Sequence, residues 1–107
     1  MGESPQMIIA MLTRYFIQLV RAAELRRRRA SEHEVASALR ISPYFVKNII
    51  EASGNFSSSH IDHCFAALRD ADVELKSSGR EPALVLDLLI YSLVRGDVVR
   101  PTDYFLV

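Results

Sequence analysis

The chain has 107 residues, half of them hydrophobic, with thirteen basic and thirteen acidic side chains, one cysteine and no tryptophan. That length suits one domain with a real core, burying roughly two-thirds of its unfolded surface, and the apolar content excludes a disordered segment. Zero net charge argues against a general polyanion binder, a lone Cys64 leaves no internal disulfide, and no apolar run nears the ~18 residues of a membrane span, so a cytoplasmic setting is expected.

Five helices are predicted in chain order. The first runs from Pro5 to about Arg29, capped by Ser4, with proline at the position where a missing N–H costs nothing. Ile8, Leu12, Tyr15 or Phe16, Leu19 and Ala23 recur at helical spacing, and Ile9, Met11 and Val20 widen the apolar surface. Ser31-Glu32-His33-Glu34 is a capping box that opens the second helix, which turns Val35, Ala36 and Leu39 inward and ends near Arg40. Ser42-Pro43 opens the third, with Phe45, Val46, Ile49 and Ile50 as its apolar face and Gly54 as its stop. The fourth begins at Ser57 or Ser58 and runs to about Ser78, with Ile61, Phe65, Leu68, Ala71 or Asp72, and Leu75 on one stripe. The fifth runs from Glu81-Pro82 to Arg95 and is apolar nearly all round, the pattern of a central helix. Short links imply neighbouring helices packed together, so the fold expected is all-α, a five-helix orthogonal bundle over residues 1–96. Residues 97–107 form a tail, either loose or folded back by its aromatic end. The opening Met1-Gly2-Glu3-Ser4-Pro5 lacks the positive charge of a signal peptide.

Charge is divided along the chain. Residues 1–53 carry eight basic and five acidic groups, and residues 54–107 carry five and eight. This is either solvated surface or two faces that meet neighbours of opposite sign.

Few residues suggest chemistry. Ser57-Ser58-Ser59 lacks any nucleophile-elbow context and reads as a helix cap. His60, His63 and Cys64 fall short of the three or four ligands a zinc site takes, and Cys64 reads as a small buried residue beside partly exposed histidines. Asp70 and Asp72 point apart on a helix, and Asp72, lying in the apolar stripe, needs a partner such as Lys76 one turn on. The glycines at 2, 54, 79 and 96 stand alone, with no phosphate-binding loop. No cofactor, metal or catalytic residue is expected. Arg26-Arg27-Arg28-Arg29 complements a helix dipole and reads either as a solvated helix end or as a contact for phosphate or an acidic partner.

Residues 32–53 have the spacing of a helix-turn-helix, with Leu39, Ile41, Val46 and Ile50 set to bury against one another. In a DNA reader the outward residues of the second helix, here Pro43, Tyr44, Lys47 and Asn48, would face the bases, although one lysine is a thin complement for phosphate.

Pro43-Tyr44-Phe45-Val46-Lys47 resembles the P-[FY]-x-V-[KR] signature in the C-terminal domain of the bacterial DNA polymerase III delta subunit. Leu68, Asp72 and Lys76 match that family's L-x-x-x-D-x-x-x-K segment, and the order of the helices agrees from about residue 6 to 95. Pro43, Phe45, Asp72 and Lys76 thus carry the family motif. The Arg26–Arg29 run and the tail after Gly96 depart from it.

The resemblance implies a clamp-loader C-terminal domain-like fold. It implies a non-catalytic module that packs with other subunits, an ATPase subunit and a delta-prime-like subunit, in the collar of the sliding-clamp loader during DNA replication. DNA would be touched only indirectly and self-association is possible. The family's clamp-opening and ATPase-related domains have no counterpart here. Surplus apolar surface on the first and fifth helices agrees in kind, and Arg14, Tyr15, Arg26, Arg27, Arg28, Arg29, Tyr91 and Arg95 are the candidate interface residues. The reading from a different class is a helix-turn-helix DNA-binding module using Tyr44, Lys47 and Asn48.

Overall fold

The computed structural model describes residues 4–77 and 79–95, and these residues form five α-helices and no strand. They are α1 (Pro5–Arg27), α2 (Glu32–Leu39), α3 (Pro43–Ser53), α4 (Ser58–Ser77) and α5 (Pro82–Arg95). The tail 97–107 lies outside the described residues. The chain divides into two compact units, Arg14–Ser57 and Met1–Thr13 with Ser58–Val107.

In the unit Arg14–Ser57 the caps form as their sequences dictate. The Glu34 N–H donates to Ser31 Oγ at 3.1 Å, and the Ser31 N–H donates back to Glu34 Oε1 at 3.2 Å. Ser42 Oγ accepts from the Tyr44 N–H at 3.2 Å, with Pro43 in the first turn. Helices α2 and α3 pack together, and Ala22, Val35, Ala36, Leu39 and Val46 form the core, flanked by Leu25, Ala30, Ile41, Ile49 and Ile50. The helix-turn-helix-like pair is therefore present. Phe16 meets Phe56 edge-on, 5.5 Å between centroids.

Two helix ends in this unit are made without glycine. Helix α1 stops at Arg27, two residues short of the expected end, because Arg29 takes a left-handed conformation, φ 67°. The Ala30 N–H then reaches Leu25 O at 3.0 Å and the Arg29 N–H reaches Arg26 O at 2.9 Å. Arg40 repeats the geometry at the end of α2, φ 56°, with the Ile41 N–H on Ala36 O at 3.1 Å. This paired pattern usually ends on glycine.

Phe45 is a correction. Expected on the inward face of α3, it is 56% exposed and stands edge-on to Tyr44, 5.1 Å between centroids. The inward arc is set by Val46, with Ile49 and Ile50 three and four residues on. Phe45 is rotated roughly 100° from Val46 about the helix axis.

In the other unit α4 and α5 pack together. Cys64, Ala67, Leu68 and Ala71 are buried on α4, and Val85, Leu88, Leu89, Ser92 and Leu93 on α5. The inward arc of α4 is centred on Cys64 and Leu68, with Ile61 and Phe65 only half-buried at its margins. His60 Nε2 donates to Leu93 O at 2.8 Å, since a carbonyl can only accept. Leu93 O is among the last four carbonyls of α5, which a helix cannot satisfy itself. Cys64 Sγ lies 4.0 Å from the same oxygen, and burial pushes its thiol pKa above the ordinary value. Lys76 Nζ meets Asp72 Oδ2 at 2.8 Å, the partner that Asp72 needs.

Candidate functional site

Helix α5 is the element whose apolar surface exceeds what its own unit covers. Its buried residues, Val85, Leu88, Leu89, Ser92 and Leu93, lie on one side. Asp87, Ile90, Tyr91 and Val94 follow one another by three, one and three residues, which places them on a single stripe on the opposite side. Asp87 is exposed, Ile90 and Tyr91 are about half exposed, and Val94 is 75% exposed. The expectation of a central helix is therefore corrected. Among the described residues one face of α5 is open, and the surplus apolar surface expected of this helix lies there.

Tyr91 and Arg95 are brought together on that face. The Arg95 guanidinium stands 5.3 Å from the centre of the Tyr91 ring, and its Nη1 donates to Tyr91 Oη at 3.2 Å. An arginine laid over an aromatic ring is a stiff, flat contact element of the kind enriched at the centres of protein interfaces. Arg95 also sits in the last turn of α5, where a cation is favoured by the helix dipole. Met7 and Met11, four residues apart at the start of α1, and Val73 on α4 are further exposed apolar residues of this unit.

The other candidates lie in the unit Arg14–Ser57. Arg14 is exposed, and Tyr15 is 38% exposed and edge-on to the buried Phe16, 5.7 Å between centroids. Ile17 and Val20, three residues apart on α1, are exposed as well; helical spacing points to Val20 as part of the wide apolar surface, while Ile17 has no signal in the sequence. The arginine run is largely engaged at the helix end. Arg27 and Arg28 both bond Glu24, at 2.8 and 3.2 Å, and Arg26 donates to Ala30 O at 2.9 Å. Arg29 leaves the helix at its left-handed residue, and its side chain is exposed. Tyr44, Lys47 and Asn48 are exposed on α3, and Tyr44 is the most open of the large hydrophobic side chains described, at 82%.

Among the described residues no three His, Cys, Asp or Glu side chains gather where one ion could reach them. No described helix is long and apolar enough to cross a membrane. The described residues of these faces supply apolar and arginine contact area.

Neither the curated proteins nor the solved structures include a match to this chain. A family model does match, that of the C-terminal domain of the DNA polymerase III delta subunit, over residues 1–93. The matched stretch takes in α1 to α4 and nearly all of α5, the Pro43–Lys47 segment and the Asp72–Lys76 pair. A match of that extent, on a chain whose described elements are all helices, means that the protein belongs to the family of C-terminal domains of the DNA polymerase III delta subunit.

Proposed function

We propose that residues 1–96 serve as a single non-catalytic assembly module of a clamp-loader delta-type subunit, in cytoplasmic DNA replication. The module packs against the helical domains of other loader subunits, an ATPase subunit and a delta-prime-like subunit. The observation that carries this reading is the outward stripe of α5. A soluble helix with apolar residues on two opposite sides has use for a second partner, and the family is one of subunits that act in a multi-subunit replication machine. Tyr91 and Arg95 are the anchors on α5. Arg14, Tyr15 and the Arg26–Arg29 end of α1 are further contact residues.

The test is a mixing experiment with the helical domain of the loader ATPase, followed by size exclusion with light scattering. The intact chain is expected to form a mixed complex at micromolar concentration. The double variant Ile90→Asp/Val94→Asp is expected to weaken it about 100-fold or more, because it buries unpaired carboxylates in an apolar contact. Both side chains are exposed in the chain alone, so its helical circular dichroism should be kept and its melting point lowered by only a few degrees, the cost of acidic residues near a helix C-terminus. A double variant that binds as tightly as the parent overturns the reading.

A second reading is favoured by one observation, the exposed Tyr44–Phe45 pair beside Lys47 and Asn48 on the outer side of α3. This is the side that a helix-turn-helix turns to DNA. Under that reading Lys47→Ala/Asn48→Ala weakens duplex binding about 10-fold in a salt titration and leaves assembly with other subunits untouched. No binding by the intact chain at low salt removes it.

A further inference from the structure

We infer that the outward stripe of α5 is self-complementary, and that a second copy of this chain occupies it when no other subunit does. The two α5 helices lie antiparallel across a two-fold axis at Tyr91. This rests on the reading of the stripe as an assembly surface and adds to it a partner and a register.

Asp87 is exposed at the N-terminal end of this otherwise apolar stripe and makes no ion pair among the described residues. A carboxylate in that place opposes every purely apolar partner, because covering it strips its water and gives nothing back. The partner that fits brings a cation to Asp87 and apolar groups to Ile90, Tyr91 and Val94.

The chain carries such a partner on the same stripe. Asp87, Tyr91 and Arg95 are spaced by four residues and form one row along α5, with Ile90 and Val94 in the row beside it. In a two-fold pair of antiparallel helices, residues equidistant from the axis meet one another. With the axis at Tyr91, each Asp87 meets the other copy's Arg95, so the pair makes two ion pairs around a central tyrosine contact. Each Arg95 is already laid along its own Tyr91 ring, with the guanidinium held at the stripe.

Charge also selects this register. Moving the axis one turn back, to Asp87, sets the two carboxylates against each other. Moving it one turn on, to Arg95, sets the two guanidinium groups together. A parallel pair in register does both. Like charges in contact are a penalty at any interface, so one of the four arrangements is favoured. A single helix pair buries area at the low end of specific interfaces, below about 1,200 Å². The dimer should therefore be micromolar and exchange readily for a larger contact with another subunit.

The experiment uses the full 107-residue chain in sedimentation equilibrium from about 1 µM to about 1 mM, a range that brackets an interface of this size. A monomer–dimer equilibrium is expected. Asp87→Arg and Arg95→Asp should each weaken it about 10-fold by setting like charges opposite each other. The double swap Asp87→Arg/Arg95→Asp should recover most of the loss. Tyr91→Cys should give a disulfide-linked dimer on mild oxidation, because residues on the axis meet their own copies, while the buried Cys64 stays out of reach.

A monomer at every concentration overturns the inference. So does a dimer indifferent to the charge reversals, or one that the double swap fails to restore. A monomer that dimerises only after deletion of residues 97–107 also overturns it, and names the chain's own end as the occupant of the stripe. Mixing the same variants with the helical domain of the loader ATPase separates the two readings. A chain that stays monomeric alone yet joins that domain through Ile90 and Val94 loses only the second copy. A chain indifferent to Ile90→Asp/Val94→Asp in both experiments loses the stripe altogether.

Discussion

Replacing Leu68 by alanine is expected to cost about 2–5 kcal/mol of stability, the range for a leucine truncated in a core. Leu68 is 2% exposed on the buried arc of α4. The residues buried beside it on α4, Cys64, Ala67 and Ala71, are too small to fill the space left behind, and whatever cavity the side chains of α5 leave open adds to the lost transfer energy. A protein of this size has only about 5–15 kcal/mol in all. Urea unfolding followed by circular dichroism should show a lower midpoint at an unchanged slope. Leu68→Met conserves volume and should cost less than about 1.5 kcal/mol. A loss below about 1 kcal/mol for the alanine variant, no more than a surface change costs, would mean that this arc is not the core of its unit.

Phe16→Ala should cost about 3–5 kcal/mol, the range for removing a buried phenylalanine. The ring is 4% exposed and meets Phe56 nearly perpendicular, at 90° and 5.5 Å. Such an edge-to-face pair adds about 0.5–1.5 kcal/mol to the burial term, and truncation uncovers Phe56 as well. Tyr15 makes the contrast. Its ring lies edge-on to the same Phe16 but is 38% exposed, so Tyr15→Ala should cost under about 1 kcal/mol, as most surface substitutions do. Thermal melts of the two variants side by side check the pair. Equal losses would overturn the assignment of Phe16 to the interior and Tyr15 to the contact surface.

These two neighbours show how far the sequence can be read. Helical spacing offers Tyr15 or Phe16 as the inward aromatic of α1, because residues 100° apart both border a wide apolar arc. Phe16 is the buried one, in a unit that also holds Phe56, and no local pattern records that partner. The capping serines Ser31 and Ser42 place α2 and α3 to within a residue, since a cap is a bond between near neighbours and is written locally. Phe45 shows the opposite case. Its side chain suits an interior, but the arc led by Val46 turns it outward. Likewise α5 is apolar nearly all round, which fits a helix enclosed by its own chain as well as one enclosed partly by another molecule. That ambiguity is why Tyr91 and Arg95 are legible as candidates while the stripe of Ile90 and Val94 is not. The bond from His60 to Leu93 O joins residues far apart in the chain, and no spacing rule reaches that distance.

The ends of α1 and α2 share one cause. Arg29 and Arg40 stand in left-handed conformations where a glycine would have announced the stop. The residue that follows each of them, Ala30 and Ile41, packs against the core of the unit, and the residues whose carbonyls those two bond, Leu25 and Ala36, belong to the same cluster. The stops are thus imposed from the interior, by the burial of the next side chain, and not by the residue that bends. Arginine is a good helix former and resists the left-handed conformation by roughly 1–2 kcal/mol. The length of α1 is thus set where Ala30 meets the core, as that of α2 is set by Ile41, so these two boundaries belong to the packing of the unit and not to the residue at the bend.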